Sequence, residues 1–174
     1  MPEQAKQELH KDENVWPIYF RLQAEERKVG RWTTLAWSIE DLCLNEKDRP
    51  EVELAEMGEG YYMMPLELFR DERMEYRFNL NAQDPHLFFV CAEEDEQLKP
   101  VLMTAAQGVA ARYMDGDYVV LHIQIPLPIQ VWMEAYLGRH GELEECKRRG
   151  GGKGKKQKGV QVATNFFNVG LIEN

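Results

Sequence analysis

The 174-residue chain has 44% hydrophobic residues and a formal net charge of −9. That length suits one domain, burying roughly 70% of the surface its unfolded chain exposes. The charge is divided: residues 1–146 carry 14 Lys and Arg against 29 Asp and Glu, whereas residues 147–174 carry 7 against 1. An acidic body repels phosphate backbones and anionic lipids, which argues against nucleic-acid binding other than through the tail alone.

Cys43, Cys91 and Cys146 are widely spaced and odd in number, without the dense framework of small secreted domains. The N-terminus is polar and no run approaches the length of a membrane span. The expectation is a cytoplasmic protein with no membrane association.

Residues 1–14 have no hydrophobic period and read as a disordered N-terminal arm. In "VWPIYFRLQAEE" Trp16, Ile18, Phe20 and Leu22 alternate with more polar neighbours, the period of a half-buried strand, with Pro17 at a sheet edge or at the strand's own start. "RWTTLAWSIEDLCL" repeats the pattern through Leu35, Trp37 and Ile39, and the charged turn around Glu25–Gly30 predicts an antiparallel hairpin. The acidic stretch 45–60, with Pro50, Gly58 and Gly60, reads as a solvated excursion. Tyr62, Met64, Leu66 and Leu68 share one parity; after "RDER", Met74, Tyr76, Phe78 and Leu80 share another, which predicts a second hairpin. "HLFFVC" is apolar on both parities, as a central strand would be, and Glu93–Glu96 read as a solvated turn at its end.

A short strand "VLM" precedes Thr104, which stands three residues before Gln107, the spacing of a capping box. Ala106, Val109, Ala110 and Tyr113 then make the inner face of a helix ending near Gly116. "YVVLHIQIP" is a further strand. A last helix follows Pro128, with Ile129, Trp132, Met133, Tyr136 and Leu137 as its buried stripe and Gly138 or Gly141 as its stop. The fold class is α+β: an antiparallel sheet or open barrel of six to seven strands with two late helices, in a single domain over residues 15–141.

Few residues point to chemistry. The only serine, Ser38, lacks a nucleophile-elbow context. "RGGGKGKK" fails the phosphate-loop pattern, since Arg149 stands where its first glycine belongs and Lys156 where its hydroxyl residue belongs. His86 and Cys91 stand an odd step apart on one strand and should face opposite ways; His122, beside Gln124, reads as solvent-exposed. A small metal-binding protein or enzyme using Cys43, Cys91 and His122 stays open as an alternative, as does nucleic-acid binding through residues 147–158. The expectation is a non-enzymatic protein with no catalytic residue, no cofactor and no metal.

Residues 142–159 read as a flexible Gly/Lys linker, too polar to fold. Residues 160–174 read as a short apolar segment able to add a strand to an open sheet edge, on this body, on a second copy or on a partner. Val160, Val162, Phe166, Phe167, Val169 and Leu171 are its candidate partner-binding residues. A homo-oligomer through this segment is one outcome.

The stretches "RWTTLAW", "LELFRDERMEYRFNLNAQDPHLFFVC", "PVLMTAAQGVAARYMDGDYVV" and "PLPIQVWMEAYLGRH" resemble, in this order, a bacterial family of small uncharacterised proteins encoded beside molybdenum-dependent formate dehydrogenase genes. The likeness covers roughly residues 15–140. It implies an accessory protein that binds a formate dehydrogenase subunit or its maturation factor, in assembly, maturation or regulation. The family has no catalytic motif, so no site residue carries over.

Overall fold

The computed structural model describes residues 10–45 and 60–142. It is α+β, with strands β1 (Val15–Val29), β2 (Trp32–Cys43), β3 (Tyr61–Glu67), β4 (His86–Glu94), β5 (Gln97–Thr104) and β6 (Tyr118–Gln124). Its helices are α1 (Arg73–Leu80), α2 (Gln107–Met114) and α3 (Leu127–His140), and a 3-10 turn at Arg70–Glu72 leads into α1. The strands form two three-stranded antiparallel sheets, ordered β2-β1-β3 and β5-β4-β6, instead of one sheet or an open barrel.

Asp12 starts the first sheet, its carboxylate accepting from the backbone N–H of Asn14 at 2.7 Å and of Val15 at 2.8 Å. Trp16, Ile18, Phe20 and Leu22 then turn one face of β1 into the core as their alternation predicts. Pro17 lies opposite Pro65 of β3, and the β2 pairing begins only at Tyr19, so the missing proline N–H falls outside the β1–β2 ladder. Phe20 meets Phe89 of the second sheet edge-on at 5.0 Å between centroids. β4 is the central strand expected of "HLFFVC", fully buried from Leu87 to Cys91. Leu87, Phe89 and Cys91 face the common core, and α2 packs on the sheet formed by β4, β5 and β6.

α3 carries the expected stripe of Ile129, Trp132, Met133, Tyr136 and Leu137, all buried, and stops at Gly141. Trp132 packs edge-on against Trp16 at 5.4 Å and donates its indole N–H to the carbonyl of Asp12 at 2.9 Å. Trp16 donates its own to Leu44 at 2.8 Å.

Three further expectations, each about a single element, fail in the fold. "RMEYRFNL" is the helix α1, not the second strand of a hairpin. Met74, Tyr76, Phe78 and Leu80 alternate, but the set also contains the i, i+4 pairs of a helix. Tyr76 is buried and Leu80 half-buried on one side, whereas Met74 and Phe78 are exposed on the other. Arg, Met, Glu and Leu are also good helix formers.

The short strand "VLM" is the eight-residue β5, which pairs back on β4 through a turn at Asp95 and Glu96. The Glu93–Glu96 run is exposed, as expected of a solvated turn. The capping box is the third failure. Thr104 ends β5, and its hydroxyl accepts from Ala106 N–H at 3.0 Å. The N-cap of α2 is Ala106, which makes no side-chain cap bond. Glu75 of α1 supplies the acceptor instead, taking the N–H of Gly108 at 2.8 Å. A Cβ on residue 108 would stand 2.1 Å from that carboxylate oxygen, so this position admits only glycine while the bond is made.

Asn79, at the end of α1, is buried and bonded on both sides of its amide. Its nitrogen donates to the carbonyls of His86 at 2.7 Å and Ala105 at 2.8 Å, and its oxygen accepts from His86 N–H at 3.0 Å. Asn79→Ala strands these buried backbone groups and should cost about 3–5 kcal/mol in chemical denaturation. Asp95 and Glu96 hold φ of 51° and 62°, a left-handed pair that Asn-Gly would fill without strain. Glu96→Gly should therefore raise stability by about 0.5–1 kcal/mol, read as a higher melting temperature.

Candidate functional site

β1 and β2 outrun the rest of their sheet. β3 pairs with β1 only as far as Arg21, after which β1 continues to Val29, turns through Gly30 and Arg31, and returns from Trp32. Gly30 has φ of +63°, as the first central residue of a two-residue hairpin turn that follows the strand twist requires. From Gln23 to Leu35 every residue except the half-buried Arg27 is exposed. This two-stranded arm carries Val29, Trp32 and Leu35 in solvent, with Trp32 76% exposed, and the cations Arg27, Lys28 and Arg31 near its tip.

A cleft of about 480 Å³ opens at the arm's base, lined by Arg21, Leu22, Trp37, Tyr62 and Leu98 among others. Arg21 is held at its rim by Asp41 at 3.0 Å and by Gln23 at 3.1 Å, with its guanidinium 5.6 Å from the Tyr61 ring centroid.

A second exposed apolar region lies on the helices. Arg77 of α1 grips Glu134 of α3 with two hydrogen bonds of 2.9 and 2.8 Å, and Arg73 donates to the carbonyls of His140 and Gly141. The two helices are therefore antiparallel, the C-terminal end of α1 lying toward the first turns of α3. Phe78, Leu127 and Val131, which are 59%, 70% and 61% exposed, belong to that end. These are large apolar side chains in water beside a bidentate ion pair.

The metal candidates do not meet. Cys91 is fully buried on the core face of β4, where burial pushes its thiol up to about 12. His122 stands opposite Phe88, on the other face of the same sheet. Cys43 ends β2 with its thiol directed to the carbonyl of Asn45 at 3.2 Å. Among the described residues no three His, Cys, Asp or Glu side chains are grouped to hold a metal ion. His122 is half-buried, not solvent-exposed, and packs edge-on against His86 with centroids 4.8 Å apart. Burial holds both imidazoles below the usual range, and for His122 the neighbouring His86 adds to this. The β4–β6 register creates this pair by setting His86 beside Gln124 and Phe88 beside His122. Parity along one strand could not reveal it. The expected partner-binding residues Val160, Val162, Phe166, Phe167, Val169 and Leu171 lie outside the described residues, as do residues 143–159 of the linker before them.

Residues 22–150 match the model of the family described as "Protein of unknown function (DUF3305)". The chain belongs to this family. The match takes in β1 from Leu22 onward, the other five strands and all three helices. No curated protein and no solved structure matches the chain. No helix among the described residues is long and apolar enough to cross a membrane.

Glu72, in the turn before α1, provides a pH test of this region. Its half-burial, followed by the nearby charges of Glu75 and Asp71, raises its carboxyl to about 6 from 4.5. Between pH 4.5 and 6 the folded state thus binds more protons than the unfolded one, and stability falls as pH rises through that window. Glu72→Gln removes the penalty, so it should stabilise by about 1 kcal/mol above pH 6, after allowing for solvent screening, with the gain gone below pH 4.5. Melting temperatures of both proteins across pH 4–7 check this.

Proposed function

We propose that this protein is a non-enzymatic accessory protein that binds another protein, and that its partner is a molybdenum-dependent formate dehydrogenase subunit or the maturation factor of that enzyme. The observation carrying the binding role is the exposure of Phe78, Leu127 and Val131 at one end of the α1–α3 pair. Burying such side chains against a partner removes apolar surface from water at roughly 25 cal/mol per Å². The adjoining Arg77–Glu134 pair supplies the polar rim that fixes register at an apolar interface. The formate dehydrogenase setting comes from the resemblance of the four sequence stretches quoted above.

Because Phe78 and Val131 are exposed, glutamate at either position changes the surface without opening a cavity. The full chain, tagged and expressed in a cell that makes the enzyme, should recover a formate dehydrogenase subunit or a maturation factor. The Phe78→Glu/Val131→Glu variant should lose at least tenfold of that recovery while its melting temperature stays close to the parent's. Repeated recovery of nothing above background by the parent chain overturns the role. Equal recovery by the variant removes this face from it.

A further inference from the structure

Sheet edges in native proteins are blunted by charges, proline or a covering element, because their unpaired N–H and C=O groups accept any compatible strand. β2 is the outer strand of its sheet, and from Trp32 to Ile39 it reads "WTTLAWSI", eight residues without a charge or a proline. No strand among the described residues is hydrogen-bonded to its outer side, and β6 of the second sheet approaches β2 without pairing with it. The strand is also rich in aromatic and β-branched residues, which favour pairing. Its inner neighbour β1 carries the charges instead: Glu25, Glu26, Arg27 and Lys28. An isolated two-stranded ribbon is marginally stable in water, so an arm of this length gains most from a third and a fourth strand.

The alternation of the ladder shows which backbone groups are available. Val29 and Trp32 close the two-residue turn as an inward-bonded pair, and they are followed by Lys28–Thr33, Arg27–Thr34, Glu26–Leu35, Glu25–Ala36 and Ala24–Trp37. Thr33, Leu35 and Trp37 therefore turn their backbone N–H and C=O outward. An antiparallel copy of the same strand centred on Leu35 sets Thr33 opposite Trp37 and Leu35 opposite Leu35, so every outward group finds an outward group. Such an arrangement is two-fold symmetric and closes on itself.

Charge selects the same orientation. The arm's tip holds Arg27, Lys28 and Arg31, and the base of β2 holds Glu40 and Asp41. Parallel arms would stack cation on cation. Antiparallel arms centred on Leu35 bring Gly30 of one copy opposite Glu40 of the other, with Arg31 beside it in the turn. The long-range field also favours it, because cationic tips approach acidic bodies.

We infer that the β2 edge is a self-association surface: two copies of this chain pair through Trp32–Ile39, antiparallel about Leu35, joining two three-stranded sheets into one of six strands. The occupant is a second copy because its edge supplies both the matching row of backbone groups and the opposite charge at each end.

The full-length chain should sediment and scatter light as a dimer, at twice the mass of one chain. Leu35→Pro removes one outward N–H while leaving the inward ladder intact, and should return the mass to that of one chain with an unchanged circular dichroism spectrum. Should proline disturb the arm itself, a charge exchange decides the matter. Arg31→Glu and Glu40→Lys chains should each be monomeric alone, since each sets like charges together at both ends of the pair. Mixed in equal amounts they should form a heterodimer, seen by native mass spectrometry, because both ends then carry opposite charges. A monomeric parent overturns the inference, as does a mixture that yields no heterodimer. A dimer that survives Leu35→Pro and disappears on deleting residues 160–172 assigns the contact to the C-terminal segment and likewise overturns it.

Discussion

The end of α1, the start of β4 and the link between β5 and α2 can end together in the core only if their exposed backbone groups are satisfied, and one side chain does this. The amide of Asn79 closes the end of α1 onto the first residue of β4 and onto the link between β5 and α2. A buried N–H or C=O without a partner costs free energy comparable to a hydrogen bond, so any apolar residue here would leave several such groups stranded. With the amide in place, β4 enters the middle of its sheet at a defined height. The register that follows sets Phe89 against Phe20 and His122 against His86. Asn79 therefore joins α1 to the start of α2 and to the sheet of β5, β4 and β6.

Around that clamp the molecule cross-links its helices through side chains in place of local caps. Glu75 reaches from α1 to the start of α2, Arg77 and Arg73 reach from α1 to α3, and Trp132 reaches from α3 to the backbone just before β1. α1 and α2 are eight residues each, below the length at which an isolated helix is stable in water. Their tertiary partners supply what propensity cannot. The arm lies outside this network: from Gln23 to Leu35 its residues, apart from the half-buried Arg27, face solvent, and its two strands are joined by the β1–β2 ladder.

Strand periodicity was the most legible feature of the sequence. Trp16, Ile18, Phe20 and Leu22 point inward as their alternation requires, and the α3 stripe is buried residue for residue. Those signals are strong because one face of each element is buried along its length, so burial repeats with the backbone period. The period failed in "RMEYRFNL", where eight residues are too few to separate an alternating set from an i, i+4 set, and where only contact with α3 decides between them. It also failed to place the helix start, because the acceptor for Gly108 N–H comes from Glu75, 33 residues earlier.

The sequence alone determined the α+β class, the central and doubly buried β4, the β1–β2 hairpin and the last helix. Each of these is encoded by local periodicity and turn chemistry. Only the tertiary structure decided that the strands divide into two sheets, that Cys91 and His122 lie on opposite faces of one of them, that His86 and His122 meet, and that β1 and β2 run on past β3 as a two-stranded arm. The physical reason is register: a strand's parity says which residues share a face, but which face meets which neighbour depends on a pairing partner that can lie anywhere in the chain.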